Sequence, residues 1–335
     1  MKCEPLDASL FVDKPIADIG PVRPHFDHSK MPYDEWRALR KGYIGASEVS
    51  AILGLNKYSG PFDLAAVKLE AVPPVDPSVA MRMGSFFEPA IRNFFAEELR
   101  NGRIEVPGGV DIDAKVSDYP YTLRHASMPF FCCNLDGVIV PNDGGEVWGI
   151  EIKDAGIYAK TDLRYWLEGD KPTGTALMYW VQIQAQLAVS GLSRSMIVIR
   201  CEKSLMVGPV YRNEEAIRRM EDGIANFWNR YLAADLMPPM DSHAGGVLDQ
   251  MHPAESEEGT IERLDLADQV TKLRADLSDI QAKTKALKAE EETIKNTFKS
   301  MIGDYEKITL GEGIKPIKWK TVNRKDGRGY RKLTI

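Results

Sequence analysis

Nowhere does the chain carry a run of about 18 consecutive apolar residues, the length a membrane-spanning helix requires. Its first residues, MKCEPLDASLFVDK, hold no apolar core of signal-peptide length, so the protein is expected to stay in the cytoplasm where it is made. Cysteine is scarce. Cys3, Cys132, Cys133 and Cys201 show no CxxC spacing and no histidine partners nearby, which argues against structural zinc and fits a reducing compartment. Positive charge is not in excess: 43 Lys and Arg against 49 Asp and Glu give −6, so a general nucleic-acid-binding surface has no support. Any DNA contact must be local or made through metal ions. What is present is the balance of a globular protein, 44% hydrophobic and 27% charged over 335 residues. At roughly 100–200 residues per domain that length implies about two domains.

The charge is unevenly spread. Residues 303–335 hold nine Lys and Arg against four Asp and Glu, a balance of +5, which leaves −11 on residues 1–302. Pro, Gly and Ser gather near 237–259 with little periodicity, so residues 238–260 are expected to be a linker after a domain spanning 1–237. Residues 261–302 are expected to form a coiled-coil helix. Leu266, Val270, Leu273, Leu277, Ile280, Leu287, Ile294, Phe298 and Met301 alternate spacings of four and three, interrupted by Thr284 and Glu291. The seam would pair with another helix of the chain or with another subunit. Residues 303–335 are expected to be a small basic β-rich tail turning at Asp326-Gly327. Such a tail would contact DNA phosphates or lie solvated along a sheet edge.

Within 1–237, helical periodicity marks Ser47–Leu55, Phe86–Leu99, Ala176–Val189 and Glu214–Leu232, and strand-like runs mark Phe131–Val140, Val147–Lys153 and Ser195–Cys201. An α/β fold follows, with a central sheet flanked by helices. The chemistry concentrates in FFCCNLDGVIVPNDGGEVWGIEIKD. Two β-like runs flank the turn signal Pro141–Gly145 and should form an antiparallel hairpin that brings Asp136 opposite Ile150 or Glu151. Glu151 and Lys153 share one face, Ile150 and Ile152 the other, so burial of the apolar face would gather two carboxylates and an ammonium on the opposite side. Carboxylates that close repel, and a divalent cation such as Mg²⁺ would relieve them. An ordinary exposed hairpin with a Glu–Lys pair is the alternative.

Asp136 followed by Glu151-Ile152-Lys153 resembles the D…ExK core of PD-(D/E)xK nucleases. Four further segments, in order, extend the likeness to the lambda-exonuclease and YqaJ-like viral recombinase family: WRALRKGYIGASEVSAIL (36–53), MGSFFEP (83–89), NLDG (134–137) and VQIQAQLAVSG (181–191). Leu135 stands where many members have Pro. The match spans roughly residues 33–200; the coiled coil and basic tail lie outside it.

The resemblance implies a PD-(D/E)xK, restriction-endonuclease-like core with a mixed sheet. It implies a Mg²⁺-dependent 5′-to-3′ exonuclease on linear duplex DNA with free 5′ ends, leaving 3′ single strands for a single-strand annealing partner in phage-type recombination. Mn²⁺ would substitute, with two ions per site when substrate is bound. Asp136, Glu151 and the Ile152 carbonyl would bind metal, Lys153 would act on the attacking water, and Glu88 would assist directly or through water. Gln182 would stand beside Lys153 and the scissile phosphate, whereas Gln186, one turn on, reads as part of a solvated polar face. Glu88 is expected to begin or interrupt a helix at Pro89. Ser47, an expected N-cap, and Arg40 would hold a 5′-terminal phosphate. His125 and the adjacent Cys132 and Cys133 are expected to be structural. Family members form closed rings, so the resemblance implies a homo-oligomeric ring, which would let an acidic exterior coexist with a basic channel. The setting would be a bacterial host carrying a phage or prophage. Two other readings stand beside this one: an inert DNA-binding or assembly module, and a structure-specific endonuclease on the same core.

Overall fold

A computed structural model describes residues 25–73, 76–104, 114–156, 172–254, 262–309, 311, 316–323 and 329–334. The chain divides into two compact units, Met1–Ala254 and Glu255–Ile335. In the first, the described elements run β1 (His25–Asp27), α1 (Tyr33–Leu39), β2 (Ile44–Gly45), α2 (Val49–Ile52), α3 (Pro61–Lys68), α4 (Val79–Arg100), β3 (Lys115–Ser117), β4 (Tyr121–Arg124), β5 (Phe131–Asn134), β6 (Gly137–Val140), β7 (Trp148–Ala155), α5 (Gly174–Ser190), β8 (Arg194–Cys201), β9 (Ser204–Tyr211), α6 (Glu214–Phe227) and α7 (Gly245–Met251).

The expected mixed sheet is present, with strand order β3-β6-β7-β8-β9. Its β7–β8 pair is parallel and the others antiparallel. The hairpin pairs Gly137 with Ile150, Val138 with Gly149 and Ile139 with Trp148. The run Phe131–Val140 is not one strand. Its first half, β5, belongs to a smaller sheet ordered β1-β4-β5-β2, and its second half, β6, to the large one. Leu135 and Asp136 make the crossing. Gly137 permits it, because a Cβ at that position would lie 2.7 Å from the Ser117 carbonyl oxygen of β3.

Both faces of β7 are covered. Ile150 and Ile152 pack with Ile91, Phe95 and Leu99 of α4. The opposite side of the sheet packs Ile197 and Ile199 of β8 against Ile183 and Leu187 of α5 and Ile217 and Ile224 of α6. Glu151 is therefore fully buried rather than on an open polar face. Helix ends are set locally. Ser78 Oγ accepts the Met81 N–H at 3.2 Å to start α4, and Asn213 Oδ1 accepts the Ala216 N–H at 3.0 Å to start α6. Gly191, at φ 77°, closes α5 in the left-handed region.

Three expectations change. Helix α4 runs through Pro89 for 22 residues, so Glu88 neither begins nor interrupts a helix. The missing Pro89 N–H orphans the carbonyl of exposed Ser85, a group water can serve. The helix expected over Ser47–Leu55 shrinks to the four residues of α2. Residues 238–254, read as the start of a linker, carry α7, whose Val247 is buried with Phe62, Ala66 and Val72. Asp241 Oδ2 accepts the Phe62 N–H at 3.1 Å. A Cβ at Gly60 would meet that carboxylate at 2.3 Å, so the glycine there admits a close approach.

The second unit holds α8 (Ala267–Ile302), 36 residues long, and a three-stranded antiparallel sheet of β10 (Lys307–Ile308), β11 (Ile317–Asn323) and β12 (Gly329–Thr334). The helix starts six residues later than expected. Its seam residues Val270, Leu273, Leu277, Ile280, Leu287, Ile294 and Met301 are exposed in the single chain. The Asp326-Gly327 turn lies outside the described residues.

Candidate active site

The crossing between the two sheets builds the site. The Asp136 N–H donates to the Ile150 carbonyl at 3.1 Å, so Asp136 stands opposite Glu151 one step past the end of the ladder. Its Oδ2 then accepts the Ile152 N–H at 2.7 Å. The side chain thus replaces the strand that would otherwise have continued there. The Ile152 carbonyl faces the same strand edge as its N–H. From α4, the Arg92 guanidinium donates to the Asp136 carbonyl at 2.5 Å and lies 3.3 Å from Asp118 and 3.6 Å from Glu88 one turn earlier.

Helix α5 closes the site from the other side. Glu151 Oε1 accepts the Gln182 Nε2–H at 2.6 Å and pairs with the Lys153 ammonium. Glu151 Oε2 accepts from Gln186 Nε2 at 2.5 Å, and the same nitrogen donates to the Asn134 carbonyl at 2.9 Å. Lys153 Nζ donates on to Gln182 Oε1 at 3.2 Å and lies 5.1 Å from the centre of the Tyr179 ring. Gln182 therefore bridges acid and amine, with its amide orientation fixed by both. Gln186 is 1% exposed, which corrects its reading as a solvated residue. It is a structural partner of the site, and its i,i+4 spacing from Gln182 was the signal for it. Arg92 was also missed, although it sits i+4 from Glu88.

Electrostatics follow from burial and crowding. Burial pushes the Asp136 carboxyl well above its ordinary range, and the Glu151 and Glu88 charges push it further. Burial likewise raises Glu88, which Arg92 opposes and Glu151 reinforces. Burial alone would lower the Lys153 ammonium, but the Glu151 and Asp136 carboxylates outweigh it and hold the amine above the usual lysine range. Among the described residues no group of three or more His, Cys, Asp or Glu closes around a metal position. The donors present are two carboxylates, Asp136 and Glu151, and the Ile152 carbonyl. Such an all-oxygen set fits a hard divalent cation that keeps its remaining positions for water and phosphate. The elevated Asp136 carboxyl fits it too, since a cation would relieve the crowding of negative charge.

Arg40 and Ser47 form a separate corner. The Arg40 guanidinium lies 3.5 Å from Glu48 Oε1 and 5.2 Å from the centre of the Trp36 ring. Glu48 Oε2 is 2.8 Å from buried Lys68 Nζ and also accepts the Gly45 N–H at 2.8 Å. Burial would raise the Glu48 carboxyl, but Lys68 and Arg40 outweigh it and hold it low. Ser47 is the exposed middle residue of a 3-10 turn, Ala46–Glu48, and not an N-cap. Glu48 takes the backbone N–H instead. His125 Nδ1 accepts the Met128 N–H at 3.2 Å, and its Nε2 lies 3.1 Å from Glu221. Cys132 and Cys133 are buried in different clusters on opposite sides of β5, and burial raises both thiols.

Known proteins resemble this chain in sequence and in fold. Residues 35–193 match the YqaJ-like viral recombinase domain. The uncharacterized protein YqaJ of Bacillus subtilis (strain 168) is 28% identical over 290 residues, covering 83% of each chain. Among solved structures, an alkaline exonuclease (LHK-Exo) from Laribacter hongkongensis aligns at 20% identity and TM-score 0.45, over 60% of this chain and 93% of that one. A phage related exonuclease from Haemophilus somnus 129PT aligns at 8% identity and TM-score 0.34, over 56% and 94%. The five ordered segments all fall within the matched range. Residues 35–193 of this chain are similar to the YqaJ-like viral recombinase domain.

Proposed function

We propose that the chain is a metal-dependent nuclease acting in phage-type recombination, a Mg²⁺-dependent 5′-to-3′ exonuclease on linear duplex DNA. It would leave 3′ single strands for an annealing partner in the cytoplasm of a bacterial host. The observation that carries the reading is the buried Glu151–Lys153–Gln182 network beside Asp136. Burying charge in this way is expensive unless it is paired and hydrogen-bonded. An inert module has no physical need to keep it.

Asp136, Glu151 and the Ile152 carbonyl would hold Mg²⁺, with Mn²⁺ as a substitute and a second ion recruited with substrate. The cation, when bound, supplies an acidified water and neutralises phosphate charge. The chain's own residues do the rest. The Lys153 amine, held protonated by its neighbours, donates rather than abstracts: its Nζ–H groups orient the attacking water and offset charge on the phosphate oxygens. Gln182 fixes that amine by accepting a hydrogen bond from it while donating one to Glu151. Glu88, with its carboxyl raised, can hold a proton near the site or accept one from solvent through water. Arg40, with the exposed Ser47 hydroxyl beside Glu48, would receive the 5′ phosphate. Pairing of the exposed α8 seam between copies would support a ring.

The test is digestion of a linear 5′-phosphorylated duplex with Mg²⁺ beside the same DNA circularised. Shortening of the linear DNA from its 5′ ends with survival of the circle supports the exonuclease. Cleavage of the circle favours an endonuclease, and survival of both substrates an inert module. Native mass spectrometry tests the ring, and a monomeric mass refutes it.

A further inference from the structure

The small C-terminal sheet separates its residues by face more sharply than its sequence requires. Register places Lys307 beside Lys318, Lys318 beside Thr334, Lys320 beside Lys332, and Val322 beside Tyr330. Cross-strand partners share a face, and alternate residues along a strand return to it. Lys307, Lys318, Lys320, Lys332 and Tyr330 therefore all lie on one side, and all are exposed. The other side holds Ile308, Ile317, Trp319, Leu333 and Arg331, each buried or half-buried. There Arg331 stacks 3.7 Å from the centre of the Trp319 ring and donates to the Gly303 carbonyl at the end of α8 at 2.9 Å. One face is thus committed to the fold, and the other carries four cations and an exposed aromatic ring. Among the described residues, Glu306 pairs with Lys320.

We propose that this face is a binding surface for single-stranded DNA, separate from the nuclease site. Lysines two apart on a strand stand about 6.7 Å apart, and cross-strand partners about 5 Å apart. That spacing presents a continuous cationic track to a phosphodiester backbone. The lysines stand on the face of a three-stranded sheet, a broader element than the helix or two-stranded ribbon that a duplex major groove admits. A single strand can lie across such a face with a base stacked on Tyr330, the combination of basic track and aromatic platform that serves sequence-tolerant binding. Naming the occupant as the 3′ strand left by resection rests on the proposed nuclease reading; binding itself does not.

The experiment is fluorescence anisotropy of labelled oligothymidine with the full chain in EDTA over a salt series, with unlabelled duplex as competitor. EDTA removes hydrolysis, and a parallel Lys153→Ala protein separates failure of the nuclease reading from failure of this one. The combined Lys318→Ala, Lys320→Ala and Lys332→Ala variant should flatten the slope of log K against log salt by about 2, at roughly 0.7 per phosphate contact. Tyr330→Ala should weaken binding roughly tenfold with the slope unchanged. Circular dichroism and thermal melting against wild type report whether each variant is folded, and a single Lys320→Ala variant serves if the triple variant does not fold. Unchanged affinity and slope in these variants would overturn the proposal, as would tighter binding to duplex than to the single strand.

Discussion

Gln186 offers the sharpest test of how the site is held together. Its Nε2 supplies a hydrogen bond at 2.5 Å to Glu151 Oε2 and another at 2.9 Å to the Asn134 carbonyl, while its own Oε1 is buried without a hydrogen-bond partner. Turning the amide over would set that oxygen against a carboxylate, so the orientation is dictated by the charge it serves. Gln186→Leu keeps the volume roughly constant and removes both donors. A hydrogen bond to a charged group contributes about 1.5–3 kcal/mol and a neutral one about 1, so the substitution should destabilise the chain by about 2–4 kcal/mol. Urea unfolding of wild type and variant at neutral pH reads this directly as a lower midpoint at constant slope. The same change in a Glu151→Gln background should cost no more than about 1 kcal/mol, because the buried charge is gone. A Gln186→Leu protein within ~0.5 kcal/mol of wild type would refute the reasoning.

Gly137→Ala places a Cβ 2.7 Å from the Ser117 backbone oxygen, which must push β3 and β6 apart and carry Asp136 with them. Loss of nuclease activity with a lowered melting temperature is expected, and a fully active, equally stable variant would contradict it. For pH, the sign follows from the raised Asp136 carboxyl. An acid whose folded value lies above its unfolded one contributes stability fully below about pH 4 and loses it as pH rises through the folded value. Chelated wild type should therefore fall behind Asp136→Asn in melting temperature as pH increases. Added Mg²⁺ should raise the melting temperature of wild type but not of the variant. Parallel pH curves for the two proteins would refute the assignment of Asp136 as the crowded carboxyl.

The hairpin was legible because a strong turn limits register and a period of two fixes faces: counting left Ile150 or Glu151 opposite Asp136, and the observed register selects Glu151. The break at Leu135–Asp136 was not legible, since apolar residues on both sides of Asn134, Asp136 and Gly137 read as one strand-like run, and the polar residues between them suit a kink within one sheet as well as a crossing between two. The burial of Glu151 was missed for a related reason. Period-two alternation in β7 reads as one open face, whereas α5 covers that face with polar residues chosen for the carboxylate. Pro89 misled because its cost falls on an exposed carbonyl, a circumstance sequence does not display. Residues 238–254 misled because tight packing against Gly60 and Phe62 calls for the same small and turn-forming residues as a linker. The lysine face of the C-terminal sheet was visible as charge, but its one-sidedness needed the register.

In the proposed nuclease, Asp136, Glu151 and Lys153 together carry phosphodiester hydrolysis. The most direct test of this is the rate of nucleotide release from linear duplex DNA in Mg²⁺ by wild type and by Lys153→Ala, both verified as folded. A loss of at least ~10³-fold, about 4 kcal/mol of barrier, is the result the account predicts. Equal rates in the two proteins would contradict it.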